Sequence, residues 1–425
     1  MSRIKIKNFG PIREGFVDND GWLDIEKVTV FIGDQGSGKS TVAKLVSMFL
    51  WLEKKLYKGE ISVEKLNISV LQTMSKRQEL FEYFSEDTLL YYEGDAYGFE
   101  CNAKKKIFKG RAIQSKEGQY VLPKIQYVSA ARNLLTILYS IPTQNIVGKN
   151  GNIIDWSPIP FMVRDLSNVY KMALERHAKN GFLLPFDETS VHYENHRTFI
   201  KVKGKAISMS AASSGIQSIT PLLLVSHFLS NEVTDILDKV QDIDDIQKKR
   251  IEISLAKESE SLAEKYRQLY NFGKGILAKE DGILLTEKLK RYISSSFVNI
   301  VEEPEQNLFP TSQQKVINSL LEYNNAIKEN KLVICTHSPY ILASLNNSIL
   351  ADEVYKKTGK AINSYSEKKR VAYADVSAYM CENGRIISIK DNDSKLINAD
   401  VIDSCSTKIN SDFDELLDLL PENDD

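Results

Sequence analysis

The chain is poor in cysteine, histidine and tryptophan, and neither sign of charge dominates it. Its 425 residues include 4 Cys, 5 His and 3 Trp, with 55 Lys and Arg against 57 Asp and Glu. The cysteines, at positions 101, 335, 381 and 405, form no metal-binding pair, which fits a reducing compartment. A net charge of −2 excludes a globally basic nucleic-acid binder but leaves room for a local basic patch.

Long apolar runs and a secretory leader are also missing. The first residues do not resemble a signal peptide, and no apolar run is long enough to span a bilayer. We therefore expect a cytoplasmic protein without a membrane partner, and not a transporter that carries its own membrane domain. The length allows one elaborated domain or two domains around a large core.

A glycine-rich segment, residues 33–40, matches G-x-x-x-x-G-K-S in full. An apolar strand (28–32) precedes it and an amphipathic helix follows it, as in phosphate-binding loops. Glycines let backbone N–H groups curl around a phosphate, and the helix N-terminus adds positive dipole. Lys39 can reach the β- and γ-phosphates, and the Ser40 hydroxyl can bind Mg²⁺. The predicted nucleotide-binding residues are Gly33, Asp34, Gln35, Gly36, Ser37, Gly38, Lys39, Ser40 and Thr41.

Two adjacent carboxylates, Glu302 and Glu303, follow the apolar run 297–301. A buried strand that ends in this way suits a nucleotide hydrolase. The first carboxylate can hold Mg²⁺ through water, and the second can orient or deprotonate the attacking water. A further apolar run, 332–335, ends in a polar turn that carries His337. A lone histidine after a strand is usually structural, but its place after the Glu-Glu strand and before Ser-Pro favours a catalytic role.

Between these motifs lies Ala-Ser-Ser-Gly-Ile-Gln, residues 212–217. Ser213 is a good N-cap, and residues 216–229 continue as an apolar helix, which offers a second anion-binding helix end. In this order the motifs resemble the ABC-type ATPase superfamily, in its soluble AAA-family branch related to SMC, RecF and overcoming-lysogenization ATPases. Ala212 and Ser214 depart from the leucine and first glycine of that family's signature. The alternative interpretation is an ordinary capped core helix.

The resemblance implies an α/β fold with an ABC-type P-loop core, and ATP and Mg²⁺ as cofactors. It implies that Ser213 and Gly215 cap the γ-phosphate of ATP held by the opposite protomer, in an ATP-sandwich homodimer or higher homo-oligomer. His337 corresponds to the switch histidine that contacts the γ-phosphate. Asn307 falls in the D-loop, which contacts the partner protomer. Glu302 stands where aspartate is commoner in the family, and its carboxylate would reach Mg²⁺ through water.

Two further residues are left open by the sequence. Gln126 and Gln72 are both candidates for the Q-loop glutamine of the family. Arg132 follows a strand-like segment that resembles a strand-then-Arg element of the soluble relatives. It is predicted either to contact nucleotide or the neighbouring subunit, or to be a surface arginine.

The spacing of apolar residues predicts a helical insertion at residues 230–290, between the signature helix and the carboxylate strand. The core then comprises residues 1–229 and 291–425, with lobe insertions at about 53–120 and 133–207. The segment 411–425 has the pattern of a short, acidic amphipathic helix. A basic run at 104–116 is interpreted as a solvated loop or strand edge.

Two patterns in the sequence resemble a metal site and a nuclease site. His192 and His196 have a helical metal-site spacing, but the alternation around them favours a strand. Asp391, Asn392 and Asp393 faintly resemble a Toprim nuclease motif, yet a polar turn is favoured because the upstream Glu-Gly element is missing.

The resemblance to compact bacterial ATPases of this type, as in Septu, retron-associated and PARIS-like systems, points to antiphage defence. The expected function is an ATPase that senses infection and controls a separate effector protein, of the nuclease kind. The alternatives are a RecF-like repair ATPase that acts directly on DNA, and an ATP-gated scaffold with little turnover.

Overall fold

The computed structural model describes residues 2–113, 120–139, 160–186, 188–234, 236–241, 243–398, 411 and 414–416. The α-helices are α1 (Lys39–Tyr57), α2 (Ile68–Arg77), α3 (Asn133–Leu138), α4 (Phe161–His177), α5 (Ser214–Glu232), α6 (Ile236–Lys239), α7 (Asp245–Glu258), α8 (Glu260–Phe272), α9 (Lys279–Leu289), α10 (Pro310–Asn324) and α11 (Pro339–Thr358). The strands are β1 (Ser2–Phe9), β2 (Gly15–Phe16), β3 (Leu23–Ile25), β4 (Val28–Ile32), β5 (Phe84–Glu93), β6 (Tyr97–Asn102), β7 (Ile107–Ala112), β8 (Pro123–Val128), β9 (Phe182–Leu183), β10 (Thr189–Glu194), β11 (Arg197–Val202), β12 (Lys205–Ser208), β13 (Ser296–Glu302), β14 (Lys331–Thr336), β15 (Val376–Glu382), β16 (Arg385–Ser388), β17 (Lys390–Asp391) and β18 (Leu396–Ile397).

Five parallel strands form the centre of the molecule, in the spatial order β15-β4-β14-β13-β8. β16 pairs antiparallel with β15, and β2 completes this seven-stranded sheet. Every residue of β4 and β13 is buried, as expected for parallel strands that are covered on both faces. The predicted α/β fold class is therefore confirmed.

Successive residues of the central strands point into two different apolar cores. Val28, Val30 and Ile32 of β4 pack with helices α4, α5, α10 and α11. Phe31 faces the opposite side, where α1 packs together with β1, β5 and β6. The alternation of a strand thus divides the core into two layers, one on each face of the sheet.

Two antiparallel sheets flank this centre. One has the order β3-β1-β5-β6-β7 and supplies the second face with its apolar residues. The other, β12-β11-β10-β9, contains the hairpin predicted at residues 190–207 and leads directly into α5.

Helices α6 to α9 share an apolar cluster of their own. Its fully buried members include Leu255, Tyr266, Leu285 and Leu289. These helices lie between α5 and β13 in the chain, within the segment for which a helical insertion is predicted. Lys239 anchors the group to the main body by donating to the Ser294 carbonyl.

The carboxyl ends of parallel strands lie at one edge of a sheet, and ligands of α/β proteins bind there. The loops that follow β4, β8, β13 and β14 therefore meet at this edge. None of the described helices combines the length and apolar character needed to cross a membrane.

Candidate nucleotide-binding site

The loop after β4 has backbone conformations that glycine adopts most readily. Gly33, Gly36 and Gly38 have φ angles of 146°, 74° and 107°. A β-carbon on Gly33 would lie 2.1 Å from the Cys381 carbonyl oxygen, so no larger residue fits there. The first backbone hydrogen bond of α1 runs from the Val42 N–H to the Gly38 carbonyl (3.0 Å), which leaves the preceding N–H groups without helical acceptors. This arrangement suits an anion such as phosphate.

Lys39 lies across this loop. Its Nζ donates to the carbonyl oxygens of Gly33 and Asp34, both at 2.7 Å. It also lies 3.4 Å from Ser37 Oγ and 3.4 Å from His337 Nδ1. Burial lowers the pKa of Lys39 from its ordinary value, and the nearby Cys335 opposes that shift. A bound phosphate would supply an anionic partner for this buried ammonium group.

Glu302, Tyr127 and Ser40 form one polar cluster beside Lys39. Glu302 is buried; its Oε1 accepts from the Tyr127 hydroxyl (2.5 Å), and its Oε2 accepts from the Ala130 N–H (3.0 Å). The exposed Ser40 side chain lies near the Tyr127 hydroxyl and works against the rise of its pKa. Burial, followed by the charge of Glu302, raises the pKa of Tyr127, so this phenol remains a donor.

The donor set of this cluster fits Mg²⁺. A carboxylate has about four lone-pair sites, so Glu302 can still accept from metal-bound water while it keeps its two protein donors. Mg²⁺ in nucleotide sites typically keeps several waters and binds few protein oxygens. The Ser40 hydroxyl, at the mouth of the loop, would supply a direct oxygen ligand to the ion.

Glu303 and His337 lie side by side next to Lys39. Glu303 Oε1 is 3.7 Å from His337 Nε2, and both side chains are partly exposed. The His337 backbone N–H donates to Glu305 Oε1 (2.7 Å), and the Ser338 hydroxyl donates to Gln313 Oε1 (2.6 Å). The imidazole ring is thus held between the ammonium group of Lys39 and the carboxylate of Glu303.

The predicted signature segment begins α5. Ser213 is its N-cap, and Ser213 Oγ accepts from the Ile216 N–H at 3.5 Å. Gly215 packs closely on the loop after β13, because a β-carbon there would lie 2.7 Å from the Asn307 carbonyl oxygen. Asn307 is exposed and has a φ of 59°. Gly215 therefore lies beside Asn307 in the same chain, and none of the described hydrogen bonds joins Ser213 or Gly215 to residues 33–41.

The position of Arg132 shows that both predictions for this residue are wrong. Its side chain is fully buried, so it is neither a surface arginine nor available to nucleotide or a neighbouring subunit. It follows a strand that pairs directly with β13, and it bonds the backbone at the end of that strand. Only the order of strands in the sheet places it there, and the sequence does not specify that order.

Neither glutamine candidate for the Q-loop reaches the site. Gln126 is 2% exposed and donates to the Tyr127 carbonyl. Gln72 lies within α2. The residue that follows β8 and contacts the carboxylate strand is Ala130, through its backbone N–H. Ala130 and Tyr127 escaped sequence analysis because neither residue type signals a function.

A cleft of about 610 Å³ opens beside the glycine-rich loop. Residues 34–37 form one wall, and residues 10–13 and 380–384 form the others. Its volume falls in the range of ligand pockets and suits the nucleoside part of a nucleotide. Sequence analysis had not singled out Arg13 or Asn383, which line it.

The remaining sequence predictions fall outside this site. In the basic run, Lys109 pairs with Glu100 (3.1 Å) and Arg111 with Glu93 (2.5 Å) on the β6–β7 side of the sheet. Lys116 and nearly all of the segment 411–425 lie outside the described residues.

The two doubtful motifs have local structural explanations. His192 lies on β10, as the alternation predicted, and stacks on Phe199 with ring centroids 5.4 Å apart. The described residues contain no group of three or more His, Cys, Asp or Glu that could hold a metal. Asp391 accepts from the backbone N–H groups of Asp393 and Ser394, so this segment is a polar turn between β17 and β18.

No protein-family model matches the chain, and no curated protein does either. Among similar solved structures is an SMC head bound to the C-winged helix domain of ScpA. It is 11% identical, with a TM-score of 0.39, over 92% of this chain and 98% of that one. The SMC head domain from Thermotoga maritima is 9% identical, with a TM-score of 0.35, over 91% and 97% of the two chains. An ATP-binding cassette of an ABC transporter is 15% identical, with a TM-score of 0.28, over 91% and 89%. The α/β P-loop assignment rests on the strand order and loop geometry of this chain.

Proposed function

We propose that this protein is a cytoplasmic, Mg²⁺-dependent ATPase of the ABC type whose active site is completed by a second copy of the chain. The observation that carries the proposal is the row Lys39, His337, Glu303. Its members are separated by 3.4 Å and 3.7 Å, at the sheet edge where the glycine-rich loop begins. A cation can hold the phosphates, an imidazole can contact the γ-phosphate, and a carboxylate can orient or deprotonate the attacking water.

Each predicted residue has a role in this proposal. The amides of residues 33–41 and the Lys39 ammonium group hold the phosphates. Ser40 directly, and Glu302 through water, would hold Mg²⁺, which neutralises charge on the β- and γ-phosphates. Glu303 orients or deprotonates the attacking water, and His337 contacts the γ-phosphate. From the opposite protomer, Ser213 and Gly215 cap the γ-phosphate, and Asn307 contacts the interface.

Exposed apolar groups around the site support a second copy as the partner. Phe309, just after Asn307, is 73% exposed, and Tyr340, just after His337, is 50% exposed. Large exposed apolar side chains next to a polar site are typical of an interface. In the proposed dimer these two side chains are covered by the opposite protomer.

Two substitutions test the site. Glu303→Gln keeps size and polarity but removes the base, so we expect ATP to bind and its hydrolysis to fall on the order of a hundredfold or more. Lys39→Ala should instead weaken nucleotide binding. Glu353→Gln, which alters an exposed ion pair with Lys357 on α11, is the control and should behave as the unmodified chain. Normal turnover in both site variants would contradict the assignment.

The proposal extends to antiphage defence, in which this ATPase senses infection and controls a separate effector of the nuclease kind. It is supported by the family resemblance of the motifs. Residues 391–393, which faintly resemble a nuclease motif, form a polar turn. Expressed alone, the chain should be harmless and should not protect cells against phage. Its genomic neighbour should restore protection, and Lys39→Ala or Glu303→Gln should abolish it. Protection by the ATPase alone would contradict effector control, and DNA-stimulated turnover would favour the repair alternative.

A further inference from the structure

The Arg132 guanidinium joins three separate elements of the fold. Nε donates to the Ser218 carbonyl in α5 at 2.9 Å. Nη1 donates to the Ser129 carbonyl after β8 (3.2 Å) and to the Glu302 carbonyl (2.6 Å). Nη2 donates to the Glu303 carbonyl at 2.6 Å. All four acceptors are backbone oxygens, so the contacts fix the course of the chain at the candidate site.

Fixing this loop with a buried charge costs desolvation free energy. Arg132 has no exposed surface, and burial lowers its pKa to about 10, against the opposing charges of Glu305, Glu303 and Glu302. Removing an ion from water carries a large desolvation penalty, which the bonds that the ion makes in the protein must offset. The planar fork of arginine meets several carbonyls at once, which a lysine ammonium group cannot do with the same geometry.

The backbone that Arg132 fixes is an unusual one. Glu303 has a φ of 45°, in the left-handed region that residues with a β-carbon rarely adopt. Its N–H donates to the Cys335 carbonyl (2.8 Å), and its carbonyl accepts from Arg132. The N–H and the carbonyl of this strained residue are therefore both hydrogen-bonded, and the direction of the Glu303 side chain depends on these two bonds.

A second link joins the same helix to the same loop. The Ser218 hydroxyl donates to Gln306 Oε1 at 2.7 Å. Ser218 thus uses its carbonyl to accept from Arg132 and its hydroxyl to bond the loop after Glu303. The proposed signature segment lies at the start of α5. A displacement of α5 would therefore be transmitted to the Glu303 backbone through the two contacts that Ser218 makes, with Arg132 and with Gln306.

We infer that Arg132 is a positioning residue that sets the orientation of Glu303 and makes it depend on the placement of α5. The inference rests on the proposed ATPase function. It assigns Arg132 no contact with nucleotide, and it predicts that the rate of hydrolysis depends on this residue while nucleotide affinity does not.

The test compares kcat, KM and nucleotide affinity in Arg132→Met, Arg132→Lys and Ser218→Ala. Displacement of a catalytic group by about 1 Å can cost a hundredfold, so we expect kcat of Arg132→Met to fall about a hundredfold. Arg132→Lys keeps the charge but loses the fork and should lie between Arg132→Met and the unmodified chain. Ser218→Ala removes only the link to Gln306 and should lower kcat about tenfold. ATP affinity, measured for each in a Glu303→Gln background, should change less than about threefold.

Arg370→Met is the matched control for loss of a buried arginine. Arg370 is 9% exposed and stacks on Tyr355 in the last turn of α11, roughly 24 Å along the helix from Pro339, which follows the His337 turn. It should lower the melting temperature and leave kcat unchanged. If Arg132→Met does not fold, Arg132→Lys and Ser218→Ala decide the question.

Normal kcat in folded variants of Arg132 and Ser218 would overturn the inference and leave the proposed function intact. A loss of ATP affinity equal to the loss of kcat would also overturn it, because it would make Arg132 a binding residue. Failure of the unmodified chain to hydrolyse ATP would instead contradict the proposed function.

Discussion

At the scale of single residues, the site depends on backbone conformations that few side chains tolerate. Gly33 at the start of the loop has a φ of 146° and approaches the Cys381 carbonyl of the neighbouring strand. Glu303 and Asn307, with φ angles of 45° and 59°, adopt left-handed conformations without being glycine. Backbone strain of this kind is found most often at functional sites, where the surroundings hold it in place.

Gly33→Ala tests the close approach of these two chains. The added β-carbon would lie 2.1 Å from a backbone oxygen that has no freedom to move away. We expect a loss of about 3 kcal/mol or more in the free energy of unfolding, together with loss of nucleotide binding. Gly59→Ala is the matched control, because Gly59 has a φ of 68° and nothing within 4 Å of the β-carbon position. It should cost about 1 kcal/mol and leave binding unchanged, as checked by denaturation and ATP titration; equal losses in the two variants would contradict the steric argument.

A pair of histidines predicts a dependence of stability on pH. The rings of His177 and His227 lie 4.8 Å apart, next to Phe182 and Tyr323. Burial, followed by the charge of His177, lowers the pKa of His227 from 6.5 to about 4. Between these values the unfolded chain binds a proton that the folded chain does not, so stability is lost as pH falls.

Melting curves between pH 7 and pH 4 check this prediction. The melting temperature should fall from about pH 6.5 downwards, with a slope of at most one proton per histidine. His227→Gln should flatten this part of the profile, whereas His196→Gln, in the exposed turn after β10, should leave it unchanged. An unaltered profile in His227→Gln would exclude this histidine as the source.

Residue type and local context predicted Lys39, Ser40, Glu302, Glu303 and His337, because each follows an apolar strand or a glycine-rich turn. The structure brings all five together. Tyr127 was not predicted in this way, and Arg132 was singled out with a role that the structure contradicts. Their importance comes from the pairing of β8 with β13, which places both next to Glu302, and long-range pairing leaves no mark in a single sequence.

At the scale of elements, the proposed dimer depends on the N-terminus of α5. Ser213 caps this helix, and Gly215 packs on the Asn307 loop. The Ser213 side chain accepts from only the Ile216 N–H, so other N–H groups of the first turn can still bond an anion from another molecule. The proposed sandwich requires that the anion be the nucleotide of the second copy.

Mixed dimers test this requirement. Lys39→Ala and Ser213→Arg should each be inactive alone. A dimer of one with the other has one intact site, formed by Lys39 of one chain and Ser213 of its partner, so we expect about half the normal rate. Dimers isolated with two different affinity tags, assayed for ATP hydrolysis, give the measurement. Inactivity of confirmed mixed dimers would show that Ser213 acts only as a helix cap.

The sequence predicted these elements better than their arrangement. Apolar runs marked β4, β13 and β14, and helical spacing marked α6 to α9. The strand order β15-β4-β14-β13-β8 could not be read from those patterns, because a run buried on both faces has no alternation that identifies its neighbours. Likewise, only the pairing of β8 with β13 shows that the Ala130 N–H, and not the Gln126 side chain, bonds the Glu302 carboxylate.

At the scale of the whole molecule, the apolar side chains divide into two clusters on the faces of the central sheet and a third within α6 to α9. The third cluster includes Leu285, which is fully buried, and the first includes Leu320 of α10, which is 1% exposed. We propose that the helices α6 to α9 form a unit whose stability is largely independent of the nucleotide site.

Leu285→Ala and Leu320→Ala separate the two cores with the same chemical change. Each removes the same buried methyl and methylene groups and should cost about 2–5 kcal/mol locally. Hydrogen exchange of Leu285→Ala should accelerate within residues 236–293 and remain slow in β4, β13 and β14, with ATP affinity preserved. In Leu320→Ala the faster exchange should include β13 and β14, because α10 covers those strands, and ATP affinity should fall. Acceleration across the whole chain in both variants would contradict the independence of the helical unit. It would then follow that α6 to α9 and the sheet unfold together. A change in the helical insertion would be transmitted directly to the strand ends that carry Glu303 and His337.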